Sequence, residues 1–331
     1  MAKNRQILIQ TLPTDTLAEN HFRLVESDMP KPGEGEVLVR NRLISLDAAN
    51  RAWMQGATYR QAVKAGDVMH AYSLGEVVES RDPGFKPGDL VFGEGGWQDA
   101  YVLPARKLER APKHEPLPQL LSLIGIAGKT AYHGLVQVGR PQAGETVVVS
   151  AAAGSVGIFV GQIARALGCR AVGIAGGPDK CKWLVDELGF DAAVDYKAKS
   201  FRKDLAAAAP KGIDVFFDNV GGPVLEAALF QMNQKGRVVC CGAVSQYDTS
   251  NMQSPRGIPG LLVVKRLRME GFIVMDYAAQ DEEAVNKLLA WAKEGKVKPV
   301  EDIVEGLENA PKGLIGLLAG KNRGKRMVRV A

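Results

Sequence analysis

The chain has 331 residues, 46% of them hydrophobic and 24% charged, with a formal net charge of +5. That length is too great for one ordinary core and fits two domains, and the composition is that of a soluble globular protein, excluding a disordered one. No apolar run reaches the roughly 18 residues of a membrane span, MAKNRQILIQTLP lacks the apolar core of a signal peptide, and Cys169, Cys181, Cys240 and Cys241 form no C-x-x-C pair, so a cytoplasmic chain with reduced thiols is expected.

The first third is rich in Pro, Gly and short β-branched runs. EVLVRNRLISLD and LGEVVES read as strands, and DPGFKPGDLVFGEGGW as turn, strand, turn. A helix is expected from near Gln119 to about Val138. TVVVS (146–150) then reads as a strand buried on both faces. The loop SAAAGSVG (150–157) follows, and then VGIFVGQIARAL, in which Phe159, Ile163 and Leu167 share one helical stripe. AVGIA ends at Gly176 and Gly177. The next helix, about 179–188, carries Cys181, Leu184, Val185 and Leu188 on one face. DAAVDY, IDVFFD, RVVCCG and EGFIV (270–274) supply further strands, with helices between them, and a helix follows near 281–294. Strands alternating with helices at this spacing predict a parallel sheet covered on both faces. The expected fold is α/β: a Rossmann doubly wound sheet at 125–298, inserted into a β-rich catalytic domain made of 1–124 and 299–331. The basic clusters KRLR (265–268) and KNRGKR (321–326) accompany no recognition motif for nucleic acid. They read as solvated faces or an anion site, so neither nucleic acid nor membrane is an expected partner.

The loop after TVVVS has the spacing of the G-x-G-x-x-G fingerprint. Ala152 stands at the first glycine position, with Gly154 and Gly157 at the other two. A buried strand before it and an amphipathic helix after it favour a dinucleotide site over a plain strand–helix turn. Backbone N–H groups at that helix N-terminus, around Ser155 and Val156, would meet a pyrophosphate. Enzymes that use NAD carry an Asp or Glu at the end of the second strand. Here Gly176 and Gly177 occupy that end, and Lys180 follows, able to pair with a 2′-phosphate. NADP(H) is therefore the expected cofactor. Asp179 reads as a first-turn acid favoured by the helix dipole.

Together with LISLDAANRAWM (43–54), VMHAYSLGEVVES (68–80), GKTAYHGL (128–135), LGFDAAVDYK (188–197), FFDNVGG (216–222), CGAVSQYD (241–248), MEGFIV (269–274) and GKNRGK (320–325), these segments resemble a known group. It is the zinc-free medium-chain dehydrogenase/reductases, in the leukotriene B4 dehydrogenase/prostaglandin reductase and alkenal double-bond reductase branch. The resemblance implies a GroES-like catalytic domain, a homodimer, and NADPH-dependent reduction of a carbon–carbon double bond conjugated to a carbonyl. It carries the 2′-phosphate to Lys180 and Tyr196, and the ribose and nicotinamide side to Asn219. The carboxamide goes to the backbone of Phe272 and Val274, and a contact near the phosphates to Asn322. Tyr247 falls beside the nicotinamide ribose, and Tyr72 in the substrate pocket. Cys241 joins the cofactor-site positions, although Cys240 and Cys241 read first as core packing. One departure is plain: where the family commonly has D-P-Y-M-R, this chain has Asp47, Ala48, Ala49, Asn50 and Arg51. Ala49 replaces the pocket tyrosine of many members, which leaves the size and shape of the substrate open.

Zinc enzymes of this fold carry an early cysteine and a Gly-His-Glu segment. Here the catalytic domain has no cysteine, and Ser73, Leu74, Gly75 and Glu76 stand in place of the His-Glu pair. His21, His70, His114 and His133 show no ligand spacing for a site of about three protein ligands, so no metal is expected. Charge developing on an enolate oxygen then has to be met by hydrogen-bond donors. Tyr247 and the nicotinamide ribose hydroxyl are the candidates, with Tyr72 next. Two alternatives use the same features: reduction of quinones, and a non-catalytic NADPH-binding regulatory protein. EGFIV, if it lies at the sheet edge, invites pairing with a second copy.

Overall fold

The computed structural model describes residues 3–58, 60–250, 255 and 257–330. Among these, six parallel strands form one sheet: β1 Thr146–Val149, β2 Arg170–Ala175, β3 Ala192–Asp195, β4 Ile213–Asp218, β5 Met232–Cys240 and β6 Arg268–Gly271. Their order is β3-β2-β1-β4-β5-β6. Val147, Val148 and Val149 of β1 are fully buried, as a central strand covered by helices on both faces requires. The helix α1, Gly157–Ala166, buries Phe159 and Ile163 against this sheet. The order reverses between β1 and β4, which opens a crevice beyond the carboxyl ends of the strands.

A second sheet joins both ends of the chain. Glu301–Glu305, Lys325–Arg329, Glu36–Ser45, Ser73–Ser80, Leu90–Gly93 and Glu109–Arg110 lie side by side, and Ala100–Pro104 also pairs with Glu36–Ser45. Val328 faces Ile44 in the antiparallel register, so the chain returns after the parallel sheet to complete a sheet it began near residue 36. Ile7, Ile44, Leu46, Trp97 and Val328 make the core of this region. A larger apolar cluster spans both sheets, holding Leu43, Leu74 and Phe92 together with Phe159, Phe217 and Met327.

Three elements differ from the sequence reading. The helix expected from Gln119 begins at Ile126. Residues Leu117–Leu120 form only a 3-10 turn, and after Tyr132 the helix widens to a π-helix over His133–Gly139. Gly125 is extended at φ −93° and ψ −160°, which interrupts the run just before Ile126. In α2, Pro178–Asp186, Trp183 and Leu184 face inward and Val185 stays exposed, so the stripe is set by the indole. The sixth strand ends at Gly271. Phe272 lies beyond it, and Val274 opens a 3-10 turn that runs to Gln280. No helix among the described residues is long and apolar enough to cross a membrane.

Candidate functional site

The glycine loop closes the end of β1. Ala151 is left-handed at φ 49°. Ala152 is fully buried, and its N–H donates to Ile174 O on β2 at 2.9 Å. A methyl at the first glycine position therefore points into the core and leaves the open face of the turn alone. Gly157 has no such freedom, because a Cβ there would stand 2.3 Å from Ala151 O. At Gly154 the same atom would stand at 3.1 Å. Ile158 N donates to Gly154 O at 3.2 Å and the N–H groups of Phe159 and Val160 to Val156 O at 3.1 Å, so the donors left at this helix start are those ahead of Ile158, and Ser155 Oγ is buried without a hydrogen-bond partner among the described residues. An orphaned hydroxyl at a helix N-terminus fits a bound phosphate.

A cationic corner lies beyond β2. A Cβ at Gly176 would approach the Tyr196 ring at 3.0 Å, so the glycine lets that half-exposed ring lie against the backbone. The linear reading finds no carboxylate at this point, yet the fold brings one from β3. Asp195 Oδ1 accepts from Gly177 N at 2.8 Å and Lys197 N at 2.9 Å, and is engaged by backbone. Lys180 is not simply free. Its Nζ donates to Gly320 O and Asn322 O, both at 2.6 Å. Burial lowers its pKa, and neighbouring Arg323, Lys197 and Arg326 lower it further. Arg323 stands 5.4 Å over the Trp183 ring, and Lys197 5.9 Å over that of Tyr196. Cations crowded until they disfavour one another's charge make a place that an anion relieves. Asn322 is buried, with Nδ2 donating to Gly324 O, while Gly324 N donates to Ala153 O at 2.9 Å. The loop 320–324 is thereby laid against the glycine turn after β1.

The other end of the crevice starts from Asp218. Buried at the end of β4, it accepts from Ser150 Oγ at 2.9 Å and from the N–H groups of Val220 and Gly221 at 3.0 Å. Burial pushes its carboxyl up, against the pull of these donors. Asn219 donates through its backbone N to Ser150 Oγ and through Nδ2 to Ser150 O, each at 2.8 Å. Its side-chain oxygen is the atom left for a ligand. Cys241 N donates to Asp218 O at 2.9 Å. Burial raises the Cys240 thiol to about 11 and the Cys241 thiol to about 12. Tyr247 follows the 3-10 turn Val244–Gln246, and its hydroxyl oxygen accepts from Ala243 N at 3.0 Å. Burial raises its pKa, partly offset by that N–H. The phenol is thus neutral near pH 7 and keeps its O–H proton to donate outward.

Tyr72 stacks on Phe92 with centroids 5.8 Å apart, and burial raises its pKa well above the ordinary phenol value. The Phe272 ring meets Phe217 and Tyr277 edge-on at 6.3 and 6.2 Å. Tyr72, Val156, Cys241 and Phe272 all pack against the apolar cluster shared by the two sheets. Tyr247 lies outside that cluster, beside Asp218 and Cys241. Tyr196 and Lys180 sit apart, at the cationic corner. Ala49 lies in the helix Ala48–Trp53 and packs on the second sheet's core. His133 is fully buried, stacked on Tyr277 at 5.1 Å and 3.0 Å from Asp281. No group of three or more His, Cys, Asp or Glu able to hold a metal occurs among the described residues. Sequence reasoning missed Ser150, Asp195 and Arg323. The KNRGKR cluster was the available signal for the last, already read as a possible anion site.

Residues 5–111 match the family described as the N-terminal domain of oxidoreductase, and residues 155–294 that described as zinc-binding dehydrogenase. An NADPH-dependent curcumin reductase of Escherichia coli (strain K12) is 42% identical over 336 residues, covering 99% of this chain and 97% of that protein. A 2-alkenal reductase (NADP(+)-dependent) of Nicotiana tabacum is 38% identical, covering 99% and 98%. The crystal structure of CurA from Vibrio vulnificus aligns with a TM-score of 0.95 at 38% identity, covering 99% of each chain. Its complex with NADPH aligns at 0.94 and 37% identity, again covering 99% of each. A doubly wound sheet, a phosphate turn with a cationic corner, and relatives of this identity along the whole chain lead to one conclusion: the chain belongs to the medium-chain dehydrogenase/reductases, in the alkenal and prostaglandin reductase branch.

Proposed function

We propose that the protein uses NADPH to reduce the carbon–carbon double bond of α,β-unsaturated ketones or aldehydes, without a metal. The observation that carries this reading is a neutral phenol, Tyr247, whose oxygen already accepts Ala243 N–H, in the same crevice as the cations Lys180, Lys197 and Arg323. The names of the curcumin and 2-alkenal reductases agree with it. Residues 152–157 would hold the pyrophosphate, with Ser155 Oγ gaining its missing partner. Lys180 and Tyr196 would hold the 2′-phosphate, and Asn322 the loop beside it. Asn219, Cys241 and Tyr247 would face the ribose and nicotinamide side, and the backbone of Phe272 and Val274 the carboxamide. When bound, NADPH supplies the hydride for the β-carbon. Tyr247 donates its hydroxyl proton as a hydrogen bond to the substrate oxygen, where enolate charge develops. Tyr72 offers a neutral polar tip on an apolar wall and helps to orient the carbonyl. The α-carbon then takes a proton from water or through a tyrosine relay.

The same proposal divides the chain into an NADP-binding domain at 125–298 and a catalytic domain of 1–124 and 299–331. The pairing of Lys325–Arg329 with Glu36–Ser45 supports this division. A second copy is assigned to the edge of the parallel sheet: β6 ends the strand order, and nearby Val263 and Val264 are 74% and 68% exposed. Four free cysteines support a reducing, cytoplasmic setting. The deciding experiment is a panel of enones, enals and quinones run with NADPH and with NADH, with products identified by mass and NMR. Saturated carbonyls formed with NADPH are expected. An allylic alcohol as main product, or turnover of quinones alone, overturns the reading.

A further inference from the structure

The segment that carries Tyr247 leaves the parallel sheet after Cys240 and is received by residues on the other side of the crevice. Gln55 Nε2 donates to Gln246 O at 3.2 Å. Asp248 Oδ1 accepts from Arg51 Nε at 2.9 Å and from Leu17 N at 2.7 Å. Ser250 N donates to Asp15 Oδ1 at 3.0 Å, and Arg51 Nη2 donates to Asp15 O at 2.6 Å, closing the ring. Tyr247 therefore lies between two anchored neighbours, Gln246 and Asp248.

Arg51 is the centre of this arrangement and is only 1% exposed. It belongs to the short helix Ala48–Trp53, whose start is fixed by Asp47. Asp47 in turn pairs with the fully buried Lys325 at 2.6 Å. Arg51 Nη1 has no hydrogen-bond partner among the described residues. A guanidinium taken out of water is costly unless a carboxylate faces it, so the fold is committed to bringing Asp248 to this point. On its own side, the Tyr247 hydroxyl has a single anchor among the described residues, the N–H of Ala243.

We infer that Arg51 and Asp248 are a positioning pair that holds the Tyr247 turn against the opposite domain and fixes the phenol in the crevice. The inference rests on the reading of Tyr247 as the donor to the substrate oxygen. Arg51 and Asp248 act through Tyr247 and are not catalytic residues. Their pairing matters because a misplacement of about 1 Å in a reacting arrangement can cost on the order of a hundredfold in rate.

The test is a cycle on the full-length protein: Asp248→Asn, Tyr247→Phe and the two together. Asparagine keeps an acceptor for Leu17 N–H and removes only the charge that faces Arg51. With Tyr247 in place, Asp248→Asn is expected to lower kcat about tenfold, with NADPH affinity, read by fluorescence titration, held within about twofold. In the Tyr247→Phe background the same change should lower kcat less than about twofold, because the group being positioned is gone. Losses that multiply in the two backgrounds, or an unchanged kcat in Asp248→Asn, overturn the inference. If Asp248→Asn fails to fold, Arg51→Lys, which keeps the charge and loses the fork, enters the same cycle. A silent Tyr247→Phe brings down the catalytic reading of Tyr247 by itself. The clamp is then judged by hydrogen exchange of residues 243–250: faster exchange in Asp248→Asn retains it, and unchanged exchange overturns it.

Discussion

The two ends of the crevice are built from different materials. At the phosphate end the work falls to backbone: the turn after β1, the first amides of α1, and a carbonyl pair on loop 320–322 that fixes Lys180. At the tyrosine end it falls to the side chains of Asp15, Arg51, Gln55 and Asp248, which meet around one turn. A backbone-built site tolerates a changed side chain when it points away, as at Ala152, and fails when a Cβ enters the turn itself, as at Gly157. A site built from side chains loses function by single polar changes that leave the fold standing.

Changes at the phosphate end should therefore break binding, and changes at the tyrosine end should break turnover. The largest effect is expected from Gly157→Val. Its Cβ would meet Ala151 O at 2.3 Å, a backbone atom that has no rotamer to move. Overpacking of this kind costs about 1–3 kcal/mol or more, and it distorts the amides proposed to face the pyrophosphate. NADPH titration should show binding lost by about a hundredfold or more, with a lowered melting temperature. Gly154→Ala, whose Cβ would stand 3.1 Å from the same oxygen, should bind far better. Equal behaviour of the two variants would contradict the geometry of the turn.

Tyr247→Phe should act on the opposite quantity. One oxyanion donor typically contributes about 10²–10³ in kcat. A share taken by the ribose hydroxyl brings the expected loss nearer to tenfold. KM should change little, because the hydrogen bond strengthens in the transition state. A raised KM at constant kcat would assign Tyr247 to ground-state binding instead.

Lys180→Ala returns to binding and separates the cofactors. A charge-assisted hydrogen bond contributes about 1.5–3 kcal/mol, so NADPH affinity should fall roughly 10- to 150-fold. For NADH the loss should be small, limited to the effect of freeing the carbonyls of Gly320 and Asn322. Equal losses for both would remove the 2′-phosphate from this corner. The same residue predicts a smaller pH effect. Burial and neighbouring cations lower the pKa of Lys180, and only its protonated form pairs with phosphate. NADPH affinity is thus full at neutral pH and falls as pH rises, beginning below the ordinary lysine value of about 10.4. NADH affinity should stay flat over that range. Smallest of all is the effect of thiol reagents at Cys240 and Cys241. Thiols held near 11 and 12 by burial carry almost no thiolate at neutral pH. Rapid loss of activity with iodoacetamide near neutral pH, traced to either residue by mass spectrometry, would contradict this.

Much of the strand, turn and helix at 146–166 was legible in the residues. TVVVS, the small-residue turn and the stripe Phe159–Ile163 are contiguous, and their periodicity reports local structure directly. The pair Gly176 and Gly177 was also legible as a strand end without a carboxylate. Asp195 was not, because it arrives from the neighbouring strand and reaches Gly177 only after β2 and β3 pair. The helix expected from Gln119 misled for a local reason, since apolar spacing continues through Gly125, where the backbone is extended. The stripe expected through Cys181, Leu184, Val185 and Leu188 misled at one position for a tertiary reason: the Trp183 indole found cover against the apolar cluster of the sheet, and Val185 did not.

What the sequence determined by itself is what depends on near neighbours: the alternation of strands and helices, the small-residue turn between β1 and α1, and the glycines at the end of β2. Tertiary structure alone decided which distant groups meet. Gly324 touches Ala153, Lys180 is tied to the loop 320–322, Lys325–Arg329 completes a sheet begun at Glu36–Ser45, and Arg51 finds Asp248 beside Tyr247. The physical reason is that these contacts depend on single polar groups. A lone Arg or Asp has no periodicity to announce its partner, and the partner is chosen only when burial makes an unpaired charge too costly to keep.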